Sequence, residues 1–181
     1  MHRRNLLSAI DDYALRYPEE IGVVQRFRVL LENHSDCFER DCWSGHITGS
    51  AWLVSPDQQH VLLTHHRKLN MWLQLGGHSD GDSRTDAVAV REATEESGLS
   101  VQLLQKNIFD LDVHEIPARK NDPAHYHFDV RYQLNATDEK FRISAESLDL
   151  AWVKIDELER YTEEESILRM RRKWYESNNR D

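Results

Sequence analysis

The chain has 181 residues, a length that suits one domain with extensions, and 39% of them are apolar, enough for a packed core. Its net charge of −9 argues against a general affinity for nucleic acid or an anionic membrane, so partners of both kinds are excluded. No apolar run approaches transmembrane length, and the stretch from Met1 to Ile10 is too short and too quickly acidic for a signal peptide, which makes the cytoplasm the expected location.

Residues 3–17 and 19–33 read as two helices broken at Pro18. Leu6, Leu7, Ile10, Tyr13, Ala14 and Tyr17 mark one apolar stripe, and Ile21, Val24, Phe27, Leu30 and Leu31 mark the other. With the connector that follows, this arm spans residues 1–42, ahead of a domain at 43–181. Three roles are open to it: capping the domain, making a homodimer contact, or touching substrate. The structural role is the one we take. The connector, residues 35–44, carries Cys37 and Cys42 and is flanked by His34 and His46, four potential metal ligands whose spacing fits no established zinc finger. We read it as an extended segment with two reduced thiols.

From Gly45 the pattern turns to strands. Ile47, Ala51, Leu53 and Val54 precede a turn at Ser55-Pro56-Asp57, and His60 to His65 forms the return strand. Met71 to Leu75 is one short strand that delivers the chain into Gly76-Gly77. Residues 85–99 then read as a single helix. Ser83 or Thr85 can cap its start and Gly98 can stop it. Glu92, Glu95 and Glu96 share one face at i, i+3 and i+4, while the small residues Ala87, Val90 and Thr94 lie opposite and let that side dock on a sheet. Docking fixes the carboxylates, and fixed clustered carboxylates suit a hard divalent cation.

Further along, Val101 to Pro117 holds one long strand or two, with Phe109, Leu111 and Val113 alternating with Asp110, Asp112 and His114. His125 to Leu134 alternates over ten residues, with Tyr126, Phe128, Val130, Tyr132 and Leu134 on an apolar face and His125, His127, Asp129 and Arg131 on a polar one. A polar loop follows at 135–148, then a strand from Leu150 to Ile155, a helical turn from Asp156 to Tyr161, and a final helix from Glu163 to Asn178. Its basic run, Arg169, Arg171, Arg172 and Lys173, reads as a solvated face near a helix C-terminus.

The stretch from Gly77 to Leu99 resembles the Nudix box, G-x5-E-x7-R-E-U-x-E-E-x-G-U with U a bulky aliphatic. Gly77, Arg91-Glu92, Glu95-Glu96 and Gly98-Leu99 match it. Ala93 replaces the bulky aliphatic, and Ser83 replaces the first Glu. The resemblance implies an α/β/α sandwich with a mixed sheet. It also implies hydrolysis of a diphosphate linkage in a nucleoside diphosphate derivative, a small-molecule substrate, with Mg²⁺ or Mn²⁺ bound by Glu92, Glu95 and Glu96. By motif position Arg91 orients the carboxylates, Glu92 serves as ligand or base, and the Gly76 carbonyl is a further ligand candidate. Family members often add a late-loop acid, for which Glu146 is the first choice and Asp149 the second. In isoprenoid diphosphate isomerases, which share this fold, a Cys-Gly-His run carries a metal-binding His. Here Gly76 replaces that cysteine, so isomerase chemistry is rejected and His78 is kept as a candidate ligand. His125 and His127, on a polar strand face, are candidates for contact with substrate, and at least one of His78, His114, His125 and His127 is expected to face the metal or phosphate site. Ser83 cannot pair with Arg91, so Asp82, then Asp80 or Glu92, is expected to take that place. The rival reading is a catalytically weak Nudix-fold module that binds a nucleotide without cleaving it.

Overall fold

The computed structural model describes residues 2–67, 69–119, 122–143 and 147–178. Helices α1 (His2–Arg16) and α2 (Ile21–Asn33) follow the expected stripes except at Ile21, which is exposed at the start of α2, and Pro18 opens the short 3-10 turn between them. Strands β1 (His46–Val54), β2 (His60–His66), β3 (Met71–Leu73) and β4 (Leu75–His78) lead into α3 (Thr85–Ser97). Then come β5 (Val101–Leu103), β6 (Asp110–Ile116), β7 (His125–Ala136), β8 (Ser147–Lys154), a 3-10 segment at Ile155–Arg160 and α4 (Glu165–Asn178). The expected single strand from Met71 to Leu75 is therefore two. It breaks at Gln74, whose side-chain amide donates to Asp129.

All eight strands belong to one mixed sheet. β1 and β7 form its parallel centre, with His46 beside His127 and Thr48 beside Asp129. β2 and β4 run antiparallel to β1, while β5 and β6 run antiparallel to β7. A parallel central pair is covered on both sides, so its strands are buried on both faces. β1 is buried along its whole length. This corrects the expected split of β7 into an apolar and a solvated face. Asp129 and Arg131 are buried, while Tyr126, assigned to the apolar face, is exposed.

One layer packs α1, α2 and α3 over Ile47, Ala51, Phe128 and Val130, with Phe27 edge-on to Phe128 at 5.2 Å between ring centroids. The other packs Ile167, Met170 and Trp174 of α4 over Trp52 and Leu63. The basic run of α4 is not the solvated face expected of it. Lys173 is buried and donates to Asp110 at 2.6 Å, and Arg169 grips the same carboxylate with two hydrogen bonds of 2.9 and 2.8 Å. Asp110 is fully buried and also receives Arg131 at 3.2 Å, so the polar phase of β6 is an internal ion network. Arg171 and Arg172 do point outward, to Glu159 and Glu165. Among the described residues no helix is long and apolar enough to cross a membrane.

Candidate active site

The box helix docks on β1 through Val88, which lies so close to Gly49 that a Cβ there would meet its side chain at 2.9 Å. The buried stripe is Thr85, Val88, Ala89, Ala93 and Ser97 rather than Ala87, Val90 and Thr94. The helix is thus rotated from the expected phase. Small residues still face the sheet, and Ala93, in place of a bulkier aliphatic, is among them. The rotation lays Glu92 and Glu96 along β4, half-buried, and leaves Glu95 exposed. Neither Ser83 nor Thr85 caps the helix with its side chain. The N-cap is Arg84, whose backbone N–H is held by Asp82, while Gly98 ends the helix in the left-handed region at φ 69°.

Three contacts fix the carboxylates against β4. The Gly76 N–H donates to Glu96 Oε1 at 2.8 Å. A Cβ on Gly77 would overlap the Glu92 carboxylate, so only glycine allows that approach. Arg91 donates to Glu92 Oε1 and to the His78 carbonyl, both at 2.7 Å. Burial pushes the Glu92 carboxyl up from its ordinary value, although Arg91 pulls the other way. The partner of Arg91 is therefore Glu92 and not Asp82 or Asp80. Those two are taken by Arg84 and Arg40, which they pair with at 2.8 and 2.6 Å. A neighbouring guanidinium claims each loop aspartate before Arg91 can.

The opposite phase of the sheet gathers the histidines. His46, His125 and His127 bring ring nitrogens within 4.8 Å of one another. The His78 ring lies 5.1 Å from His46 and 5.0 Å from His127, and His114 lies 5.5 Å from His127. Burial, reinforced by the neighbouring imidazoles, pushes His46 down to about 4 and His127 down to about 2, so both are neutral. Beside them Thr48 and Ser50 donate to Asp129 at 2.9 and 2.7 Å, and Arg131 donates to it at 2.8 Å. Sequence reasoning assigned His46 to the connector motif. That motif is split in the fold: Cys42 groups with His34 and Asp36, while His46 starts β1 and joins the strand histidines. The connector is a series of turns rather than an extended segment, and its thiols are free and buried, with Cys37 pushed up to about 12 by burial. The shared phase of His46, Thr48 and Ser50 was the available signal for His46. The parallel register with β7 was not.

Asp149 stands exposed on β8 opposite His65 and accepts a hydrogen bond from the Leu150 N–H. Glu146 lies outside the described residues. Among the aromatic side chains, Trp52 and Phe128 are core, Trp72 stacks on His65, and Trp43 and Tyr126 are exposed.

The NUDIX domain model matches residues 45–174. Similar solved structures include a hydrolase of the NUDIX family from Clostridium perfringens, 25% identical over 71% of this chain and 95% of that one, with a TM-score of 0.58. A C. elegans Ap4A hydrolase is 13% identical over 75% and 98%, with a TM-score of 0.56. The NUDIX domain of Shewanella oneidensis NrtR, complexed with ADP ribose, is 17% identical over 83% and 97%, with a TM-score of 0.54. None of the curated proteins matches the chain. A family match over more than two thirds of the chain makes this protein a member of the NUDIX hydrolase superfamily and an enzyme of its pyrophosphohydrolase class.

Proposed function

We propose that the protein hydrolyses a diphosphate linkage in a nucleoside diphosphate derivative, with Glu92, Glu95 and Glu96 as ligands for Mg²⁺ or Mn²⁺. The observation that carries this reading is the bare backbone at Gly76 and Gly77, which brings the box carboxylates against β4 and fixes two of them there. An all-oxygen, carboxylate-rich donor set fits a hard dication, and the Gly76 carbonyl can add to it. When bound, the ion supplies charge neutralisation for the phosphoryl oxygens and a lowered pKa for a coordinated water. Glu95 is exposed and open to a ligand role, while Glu96 is held in place by its bond from Gly76. Glu92 is oriented by Arg91, and its raised pKa suits a proton acceptor.

The fold likeness to an Ap4A hydrolase and to a domain complexed with ADP ribose supports diphosphate-linked nucleotides as the substrate class. Two free cysteines support the reducing cytoplasm as the working compartment. The test is phosphate release over a panel of nucleoside triphosphates, dinucleoside polyphosphates, nucleotide sugars and ADP-ribose, with Mg²⁺ or Mn²⁺ and with excess EDTA. Metal-dependent cleavage of at least one member is expected. Cleavage undiminished by EDTA would overturn the metal assignment, and binding without cleavage across the panel would favour the nucleotide-binding module.

A further inference from the structure

We propose that His46, His125 and His127 form a second metal site, for one borderline transition-metal dication of the Zn²⁺ type, independent of the carboxylates on α3. The scaffold is rigid. His125 and His127 are successive residues on one face of β7, and His46 is their neighbour on β1, registered directly with His127 in the parallel pair. Their ring centroids lie 4.9 Å (His46 to His125), 4.8 Å (His46 to His127) and 5.4 Å (His125 to His127) apart. One ring nitrogen from each falls within 4.8 Å of the others. Three nitrogens at about 2.0–2.1 Å from a tetrahedral Zn²⁺ are separated by about 3.4 Å, so side-chain rotation alone closes the set.

The second observation is His46 itself. It is only 1% exposed, and neither ring nitrogen makes a hydrogen bond of full geometry, although the Cys42 backbone acts on the ring as a weak acceptor. Buried polar groups in folded proteins are as a rule hydrogen-bonded, and leaving one bare is costly. A dication among the three rings gives His46 its missing partner. His125 is prepared for the same role. Its Nδ1 lies 2.8 Å from the Pro123 carbonyl, which fixes the proton there and leaves Nε2 as the nitrogen able to donate to a metal. The donors are imidazole nitrogens with no carboxylate among them, a set that selects Zn²⁺, Co²⁺ or Ni²⁺ over Mg²⁺. Three protein ligands leave a fourth position, beside which the His78 ring stands.

Spectroscopy of the whole protein tests this without reference to turnover. Protein stripped of metal with EDTA is titrated with Co²⁺, then with Zn²⁺ as competitor. The expected result is one equivalent of Co²⁺ with visible d–d absorption, displaced by Zn²⁺, and a Tm raised by Zn²⁺. His46→Gln, His125→Gln and His127→Gln are each expected to weaken Co²⁺ binding at least tenfold while circular dichroism stays native. Glu95→Gln is expected to bind Co²⁺ as wild type does, which separates this site from the carboxylate site of the proposed hydrolase. Failure of wild-type protein to take up Co²⁺ or Zn²⁺ at one equivalent would overturn the proposal and leave a water as the partner of His46. So would uptake that survives in all three histidine variants or disappears in Glu95→Gln.

Discussion

Gly76 and Gly77 are adjacent, yet the two are bare for different reasons. A Cβ on Gly77 would overlap the Glu92 carboxylate, whereas one on Gly76 would run into the side chain and backbone of Ser50. Gly77→Ala is therefore expected to lower kcat at least ~10-fold by displacing one carboxylate, with little change in Tm, because a flexible side-chain end can yield. Gly76→Ala is expected to destabilise by about 1–3 kcal/mol, the usual cost of overpacking against a strand that cannot move. Urea denaturation and steady-state kinetics on both variants separate the two effects. Glu95→Gln and Glu96→Gln are each expected to reduce turnover on the order of 100-fold, since each removes a charge from the proposed metal set. Wild-type rates in both would contradict the ligand assignment. Asp82 pairs with Arg84 at the surface and not with Arg91, so Asp82→Ala should change stability by no more than about 1 kcal/mol, read from the same urea curves.

Helix α4 is fastened to the sheet by both oil and charge. Ile167, Met170 and Trp174 supply the apolar contact. Asp110 on β6 supplies the other, gathering Arg169 and Lys173 from α4 and Arg131 from β7. Lys173 also reaches Glu20 and donates to Tyr13, so the N-terminal helices are tied to the C-terminal one through a single ammonium. Removing the shared acid leaves three cations facing one another in a dry interior. Asp110→Ala is expected to cost about 3–5 kcal/mol, the range for breaking one side of a buried ion pair. Lys173→Met deletes a single spoke and fills its volume with apolar atoms, so it is expected to cost less. Urea midpoints for the two variants check the order.

Across the whole molecule this network is expected to set the acid limit of stability. Burial alone would raise the carboxyls of Asp110 and Asp112. The cations Arg169, Arg131 and Lys173 around Asp110, and the His114 hydrogen bond together with Arg131 and Arg169 around Asp112, outweigh it and hold both below the usual carboxylate range. A depressed carboxylate pKa in the folded state means that the unfolded chain binds more protons as pH falls. The stabilisation is thus fully present above the unfolded value of about 3.9 and is lost as pH drops below it. The urea midpoint is expected to be flat for this network from pH 7 to about 5 and to fall steeply below about 4. Asp112→Asn should flatten that fall, and an unchanged acid limb in Asp112→Asn would show that other groups control it.

The sequence by itself determined the elements and the box. Apolar periodicity marked α1, α2 and most strands, because helices and strands each repeat on their own local geometry. The spacing of Gly77, Arg91, Glu92, Glu95, Glu96 and Gly98 identified the superfamily, because those residues are joined by one loop and one helix whose geometry is local too. Only the tertiary structure decided the phase of α3 against Gly49, the choice of Glu92 as the partner of Arg91, the burial of Asp110, Asp129 and Arg131, and the meeting of His46 with His125 and His127. Apart from the pairing of Arg91 with its neighbour Glu92, each depends on two segments far apart in the chain. The parallel register of β1 and β7 is set by how a whole layer of side chains packs, and no stretch of either strand contains it.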